Sequence, residues 1–193
     1  EAEIERINTI IRQLLEVSRP SSSDRTAVSV HELIHDTASV LRVQPLMSNI
    51  ELSLRLTAED DTVLADSNQL RQVFLNLIIN AADAVSVDGG GPGGKLEIIT
   101  ALETGADPET KNPATRLKIL FIDNGPGIDE ESLDNIFDPF FTTKDPGRGT
   151  GLGLSVSFMI VESMGGTMAV TSEAGSGTTM KISLPLYCGS PKS

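Results

Sequence analysis

The first residues of the chain carry apolar positions at helical spacing. Four of them form one stripe, which predicts a helix over 1–18: Ile4, Ile7, Ile11 and Leu14. The stripe is too short to indicate a coiled coil, so it allows two interpretations. Either this helix packs on its own domain, or it is the end of a longer helix that pairs with a partner. The segment at 19–24 contains proline and serines, which predicts a linker after the helix.

Three more helices are expected, over 31–48, 67–85 and 151–164. The middle one has the strongest signal, because Asp66 can cap its first turn and Gln69 can complete a capping box. Its apolar face repeats every three or four residues: Leu70, Val73, Phe74, Leu77, Ile78, Ala81 and Val85. This pattern predicts a helix that packs on the core with one side.

Six short segments have the residue types or the alternation of strands. They are Ile50–Leu56, Val63–Ala65, Lys95–Leu102, Leu117–Ile122, Thr167–Ser172 and Thr178–Leu184. The third and fourth are predicted to form a long hairpin with a connector at 103–114, and 124–150 is expected to have little regular structure. Helices come early and strands late, which favours a two-layer sandwich of sheet and helices over a regular βαβ winding.

Charge narrows the range of partners. The 193 residues are enough for one domain with a full core, and the formal net charge is −12. That charge disfavours nucleic acid or an anionic membrane as the main partner, because both attract cationic surfaces.

Cysteine usage and hydropathy indicate a location. The single cysteine, Cys188, excludes an internal disulfide and a multi-cysteine zinc site, which fits a reducing cytoplasm. No apolar run approaches the roughly 20 residues that span a bilayer. The sequence starts at Glu1 rather than Met, so we expect a cytoplasmic piece of a longer protein, which could itself be membrane-anchored.

Four polar residues share one face of the helix predicted over 67–85. They are spaced by four, four and three residues: Gln72, Asn76, Asn80 and Asp83. Asparagine is a mediocre helix former, so two in mid-helix need a reason. One interpretation is an exposed polar face. The other is a row of oxygen ligands facing a cleft, which suits Mg²⁺ because this ion takes further ligands from water and substrate phosphates.

The segment DNGPGI at 123–128 follows a predicted strand with a tight turn. One interpretation is a loop with a solvated Asp123. The other is a buried carboxylate that accepts a hydrogen bond from an exocyclic amine such as that of adenine. Gly125 and Gly127 would then let a planar ring approach the backbone closely.

Alternating glycines precede the helix predicted over 151–164. They lie in GRGTGLGL at 147–154, which is either a linker or a loop that folds over phosphates and presents N–H groups from the helix start. Lys144 and Arg148 are the nearby cations in the sequence. Three phenylalanines just upstream are predicted to pack a lid onto the core: Phe137, Phe140 and Phe141.

Five motifs follow one another along the chain. They are NLIINAADA at 76–84, DNGPGI at 123–128, FDPFFTTK at 137–144, GRGTGLGL at 147–154 and GSGT at 175–178. Together they resemble the catalytic ATP-binding domain of sensor histidine kinases. The resemblance implies a Bergerat fold, an α/β (α+β) two-layer sandwich in which a mixed, mostly antiparallel sheet packs on three helices.

The same resemblance implies a domain organisation. Residues 1–20 look like the end of the second helix of a dimerisation and histidine-phosphotransfer hairpin. A linker at 21–27, the catalytic domain at 28–186 and a tail at 187–193 are expected to follow.

The resemblance also implies that ATP and Mg²⁺ bind between the 67–85 helix and the lid. By matching positions, Asn80 is the expected Mg²⁺ ligand, Asn76 supports the metal and the phosphates, and Asp123 binds the adenine amine. Many family members carry Lys–Tyr where this chain has Asp83–Ala84, so phosphate positioning is expected to shift towards Lys144 and Arg148. The other nucleotide contacts implied are Asp83, Gly125, Gly127, Ile128, Gly149, Thr150, Gly151, Leu152, Gly153 and Thr178.

The implied activity is transfer of the ATP γ-phosphoryl group to a protein histidine, for relay to a response regulator. Related chaperone, gyrase and mismatch-repair ATPases place a Glu where Asn76 lies, and an amide cannot activate water as that Glu does. The two histidines, His31 and His35, lack the acidic context of the family's acceptor, so the acceptor is expected on a hairpin before Glu1. The full-length protein is expected to be a homodimer, whereas this chain alone can be a monomer.

Two other functions stay open from the sequence. One is a non-catalytic nucleotide-binding module with a regulatory role, which the intact asparagine and glycine motifs oppose. The other is a serine kinase of the same superfamily, which the helix predicted over 1–18 opposes.

Overall fold

The computed structural model describes residues 25–86, 93–106, 113–144 and 149–188. The helix predicted over 1–18, the linker predicted at 19–24 and Arg148 lie outside the described residues. Within the described ranges, no helix has both the length and the apolar character needed to cross a membrane.

The strands of the described ranges are Thr26–Ser29 (β1), Ile50–Leu56 (β2), Thr62–Ala65 (β3), Gly94–Ala106 (β4), Pro113–Asp123 (β5), Thr167–Glu173 (β6) and Gly177–Pro185 (β7). Five of them form one sheet in the order β2-β4-β5-β7-β6. β2 pairs with β4 in parallel, and the other neighbours are antiparallel. The sheet is therefore mixed and mostly antiparallel, as the resemblance implied. β1 and β3 form a separate antiparallel pair.

The helices are Val30–Arg42 (α1), Ser67–Ser86 (α2), the single turn Glu130–Leu133 (α3) and Gly153–Ser163 (α4). α2 lies centrally, where it contacts β4, β5, α1 and α4. The side chains of β4 and β5 that face the helices are buried: Leu96, Ile98, Leu117, Ile119 and Phe121. The ring of Phe74 on α2 lies 5.8 Å from the ring of Phe121. The expected two-layer sandwich, with three longer helices on the sheet, is confirmed.

Two helices differ from their predicted bounds. α1 ends at Arg42 rather than at 48, because Gln44 precedes Pro45 and adopts an extended backbone, which the following proline favours. The residues Pro45–Met47 then form a separate 3₁₀ turn. α4 begins at Gly153 rather than at 151, because Gly151 has a φ of 67°, outside the helical range.

The strands also extend beyond the sequence pattern. β1 was not predicted, and it begins at Thr26, inside the segment expected to be a linker (21–27). Its register with β3 places Val28 opposite Val63. The long hairpin includes residues 103–106 and 113–114 of the predicted connector. Pairing across the sheet satisfies backbone groups there, although the local side chains are poor strand formers.

Candidate functional site

The helix α2 presents its polar row beside a buried face. Asp66 accepts backbone hydrogen bonds from Asn68 (2.8 Å) and Gln69 (3.3 Å), so it caps the helix as predicted. Most of the apolar face is buried, and Leu70 and Phe74 are fully buried, which fixes the rotation of the helix on the sheet. The predicted row is half-buried along the edge of that face: Gln72, Asn76, Asn80 and Asp83.

Asn76 connects α2 to the start of α4 through two hydrogen bonds. Its Nδ2 donates to the carbonyl oxygen of Gly153 and to Oγ of Ser157, each at 3.2 Å. Sequence reasoning missed this contact, although Ser157 was a signal because it is a small polar residue on an apolar helix. The amide of Asn80, one turn later, forms no hydrogen bond with the described residues. Asn80 is therefore a half-buried polar group that the described protein leaves unpaired.

The N-terminus of α4 reaches the same region. Leu152 occupies the capping position without a side-chain cap, so the first N–H groups of the helix have no intrahelical partner. Their partial positive charge suits an anion. Leu152 itself is buried and its N–H contacts Oγ1 of half-buried Thr150 at 3.4 Å. The two glycines Gly149 and Gly153 flank this turn, and a Cβ on Gly153 would approach no atom closer than 3.8 Å.

The phenylalanine motif holds the loop before α4. Phe137 packs on the core, with its ring 5.1 Å from that of Phe158. The N–H of Phe140 donates to the carbonyl of Gly151 at 2.9 Å, and a Cβ on Gly151 would overlap the Phe140 backbone. Phe141 is half-buried, whereas Phe140 has a φ of 70° and is 61% exposed. The prediction that all three phenylalanines pack inward is therefore wrong for Phe140.

Asp123 ends β5 as a buried carboxylate. Its Oδ1 accepts the backbone N–H groups of Gly125 (2.8 Å) and Thr178 (3.3 Å). Its second oxygen accepts no hydrogen bond from the described residues. Burial raises the pKa of the Asp123 carboxyl, and the two N–H donors only partly offset this effect. The arrangement leaves one buried acceptor oxygen for a donor from outside the described protein.

The glycines after Asp123 serve close contacts within the protein. A Cβ on Gly125 would lie 2.9 Å from Asp123 Oδ1 and 3.1 Å from the Cβ of Ala84 on α2. Gly127 has a φ of 74°, and a Cβ there would overlap the carbonyl of Glu173. The expected role of these glycines was to admit a planar ring. The structure gives each of them a close neighbour within the fold, and their role beside a ring stays a prediction.

The turn between β6 and β7 completes this end of the site. Ser172, which sequence reasoning did not single out, accepts the N–H of Ile128 at 2.9 Å and contacts Oγ1 of Thr178 at 3.0 Å. Thr178 therefore supports Asp123 through its backbone N–H, whereas its hydroxyl contacts Ser172. Gly175 donates to the Pro126 carbonyl at 2.6 Å. The two turns thus hold each other through backbone atoms.

Lys144 faces the polar row. Its Nζ lies 2.6 Å from Oδ2 of Asp83, and both side chains are about one-third exposed, at 34% and 35%. The structure therefore brings Lys144 to α2, next to the row that includes Asn80.

The sequence profile of one protein family, described as histidine kinase-, DNA gyrase B-, and HSP90-like ATPase, matches residues 65–187. The chain belongs to this ATPase family. ATP binding follows from that membership, and the matched range contains α2, Asp123 and the start of α4.

Two relatives that match most of this chain are named as kinases. Sensor histidine kinase ZraS of Escherichia coli (strain K12) is 38% identical over 95% of this chain and 36% of its own length. Sporulation kinase E of Bacillus subtilis (strain 168) is 35% identical over 96% of this chain and 23% of its own length. The chain thus spans only about a quarter to a third of these relatives.

Solved structures point to the same part of such kinases. The catalytic domain of histidine kinase ThkA, in a nucleotide-free form, superposes with a TM-score of 0.67 at 29% identity, covering 84% of this chain and 96% of that one. ThkA in complex with the response regulator TrrA has a TM-score of 0.69 at 27% identity, covering 96% and 48%. The resemblance to the catalytic ATP-binding domain of sensor histidine kinases is confirmed.

The donors in this ATPase domain fit a magnesium–nucleotide complex better than a metal held by protein alone. No group of three or more His, Cys, Asp or Glu that could hold a metal occurs in the part of the chain that the structure describes. The polar row instead offers the unpaired amide of Asn80 and the carboxylate of Asp83. Magnesium commonly binds one or two such oxygens and takes the rest from phosphates and water.

Proposed function

We propose that this chain binds ATP with Mg²⁺ and presents the γ-phosphate to a histidine of a dimerisation and phosphotransfer hairpin, from which a response regulator takes the phosphoryl group. The observation that carries the proposal is the pairing of two features along α2. Asp123 supplies a buried, half-satisfied carboxylate at one end, and Asn80 and the open start of α4 supply metal and phosphate partners farther along.

The two features lie at different positions along the axis of α2. Gly125 packs against Ala84, and Gly153 accepts from Asn76. Eight residues of helix separate these contacts, or about 12 Å at a rise of about 1.5 Å per residue. We therefore assign the adenine to the Asp123 end and the phosphates to the polar row that runs from Asp83 to Asn76, which we call the Asn80 end.

Each group has a chemical role in this proposal. The free Asp123 oxygen accepts the exocyclic amine of adenine, a charge-assisted contact in a buried site. Asn80, supported by Asn76, would hold Mg²⁺, which when bound neutralises the phosphate oxygens. Lys144 and the first N–H groups of α4 add positive charge around the phosphates. Catalysis then consists mainly of positioning and electrostatic stabilisation.

The absence of a base at Asn76 supports transfer to histidine over hydrolysis. Its NH₂ group already donates hydrogen bonds to the Gly153 carbonyl and the Ser157 hydroxyl, and an amide does not accept a proton from water. His31 is engaged elsewhere, because its Nε2 shares a hydrogen bond of 2.7 Å with the buried Thr100. His31 is therefore a poor acceptor, and the proposed acceptor lies on the hairpin, outside this chain.

The test measures binding first and transfer second. ATP and a non-hydrolysable analogue are titrated into the chain with and without Mg²⁺, and the chain is then incubated with radiolabelled ATP and a histidine-bearing hairpin. Mg²⁺-dependent binding and acid-labile label on the hairpin are expected. Stoichiometric acid-labile label on this chain in the absence of the hairpin would contradict the proposal.

A further inference from the structure

A charged pair joins the two sides of the proposed site. Lys144 Nζ donates to Asp83 Oδ2 at 2.6 Å, which connects the end of the phenylalanine motif (137–144) to α2. Neither charged group forms another hydrogen bond or ion pair with the described residues. The pair is about one-third exposed, so its two charges are accessible to a ligand.

The carboxylate of this pair lies one helical turn from the unpaired amide. Asp83 follows Asn80 by three residues on α2, and residues at this spacing are neighbours on a helix surface. One carboxylate and one amide oxygen are donor types that magnesium uses. In the structure, the ammonium of Lys144 is paired with the carboxylate of Asp83.

The charges of the pair are complementary to those of a metal-bound phosphate. The carboxylate attracts a cation and the ammonium attracts a phosphate, so a magnesium–phosphate unit can satisfy both groups when the pair separates. A partly exposed ion pair contributes little to stability, and its separation therefore costs little. A nucleotide without metal satisfies only Lys144 and is repelled by the carboxylate.

We propose that Asp83 selects the metal-bound nucleotide over the free nucleotide, by giving up Lys144 to the phosphates and taking the cation in its place. This inference rests on the proposed function, because it assumes that ATP phosphates reach the Asn80 face of α2. Asp83 is then a specificity-determining residue, and Lys144 is its exchangeable partner.

A second ion pair supplies a matched control. Lys181 Nζ lies 2.6 Å from Glu103 Oε2, the same distance as in the Lys144 pair. Glu103 alternates along β4 with residues that face the helices, such as Ile98 and Thr100, so it lies on the opposite face of the sheet. Glu103→Gln removes the same charge as Asp83→Asn without touching α2.

The experiment compares dissociation constants for ATP in excess Mg²⁺ and in EDTA at constant ionic strength, by calorimetry. In the wild type we expect tighter binding with Mg²⁺. In Asp83→Asn the ratio of the two constants is expected to fall about tenfold, or about 1.4 kcal/mol, because binding weakens with metal and strengthens without it. Glu103→Gln is expected to keep the wild-type ratio, and thermal melts check that both variants are folded.

A charge-reversed variant separates metal selection from a purely structural pair. Asp83→Lys combined with Lys144→Asp can form the pair again but places a cation on α2. The proposal expects a ratio as low as that of Asp83→Asn, and a wild-type ratio would overturn it. An unchanged ratio in Asp83→Asn, or an equal loss of affinity in both conditions, also overturns it while the proposed function stands. A wild type that binds no ATP in either condition overturns the proposed function and this inference together.

Discussion

The site has two ends that are built in different ways. At the Asp123 end, the contacts run through backbone atoms: two N–H groups hold one carboxylate oxygen, and Gly127 leaves no space beside the Glu173 carbonyl. At the Asn80 end, the groups are side chains: the amide of Asn80 has no hydrogen-bond partner among the described residues, and the Asp83–Lys144 ion pair is about one-third exposed.

This difference separates an end with a fixed shape, which recognises the adenine, from an end whose side chains can rearrange around the phosphates. The Asp123 end is fixed when the protein folds, so a change that disturbs its backbone contacts is expected to appear in the free energy of unfolding as well as in binding. At the Asn80 end, Asn80 and the Asp83–Lys144 pair can change partners, so a change to these groups is expected to appear in affinity, metal dependence and ionic-strength dependence. The following variants test this division, from the largest expected effect to the smallest.

Gly127→Ala is expected to destabilise the protein by about 3 kcal/mol or more, measured by urea unfolding. Alanine is strained at a φ of 74°, and its Cβ would overlap the Glu173 carbonyl, so the turn must move. Because this turn carries Asp123, nucleotide binding is expected to fall as well.

Gly175→Ala is the matched control for that variant. Gly175 has a similar φ of 82°, but a Cβ there would meet no atom within 4 Å. Only the backbone strain remains, so a loss of about 1 to 2 kcal/mol is expected. Equal losses in the two variants would mean that the close contact at Gly127 is unimportant.

Asp123→Asn is expected to weaken ATP binding by about 10- to 100-fold without destabilising the fold. Asparagine keeps an Oδ1 acceptor for both N–H groups, but it replaces the free oxygen with a donor that cannot accept the adenine amine, and a hydrogen bond to a charged group contributes about 1.5 to 3 kcal/mol. Calorimetric titration with ATP checks the affinity.

The difference in stability between this variant and the wild type depends on pH. Burial raises the pKa of Asp123 above its ordinary 3.8, so the folded state retains a proton that the unfolded chain has already lost. The wild type therefore loses stability as the pH rises from 3.8 through the raised pKa. Asp123→Asn is expected to be at least as stable at neutral pH, and this difference is expected to shrink in acid. A variant that is much less stable at pH 7 would argue against a costly buried charge.

Local patterns were enough to predict the parts of the fold that depend on one segment. The spacing from Leu70 to Val85 fixed the position of α2, and Asp66 marked its start. The position of Asp123 at the end of a strand could also be predicted, because the run before it, Leu117–Ile122, is rich in strand-forming residues. The sequence could not predict β1 or the close contact at Gly127. Both depend on partners far along the chain, namely β3 and Glu173.

The ion pair of the Asn80 end illustrates the same limit. Proximity in sequence indicated Lys144 as a phosphate partner, but Asp83 precedes it by 61 residues, and only the packing of the loop on α2 brings them together. The contact of Asn76 with α4, across 77 residues, was missed for the same reason, although Ser157 was a weak signal of it.

Asn76→Glu is expected to add ATP hydrolysis and to cost about 1 to 2 kcal/mol of stability. The carboxylate can serve as a base for water, which the amide cannot. It also loses both donated hydrogen bonds to α4, each of which contributes about 1 kcal/mol. Phosphate release and urea unfolding measure the two effects. Asn76→Gln controls for side-chain length, and hydrolysis at equal rates in both variants would contradict the assigned role.

Lys144→Gln is expected to have the smallest effect on stability, under about 1 kcal/mol, because exposed ion pairs contribute little. Its effect on ATP affinity is expected to be several-fold near 0.01 M salt and to disappear near 1 M, since the screening length falls from about 30 Å to about 3 Å. The loss caused by Asp123→Asn is expected to persist across that range, because that carboxylate is buried. Lys181→Gln, on the other face of the sheet, removes the same charge and is expected to leave affinity unchanged at both salt concentrations. If Lys144→Gln weakened ATP binding equally at the low and the high salt concentration, the Asn80 end would be as rigidly built as the Asp123 end.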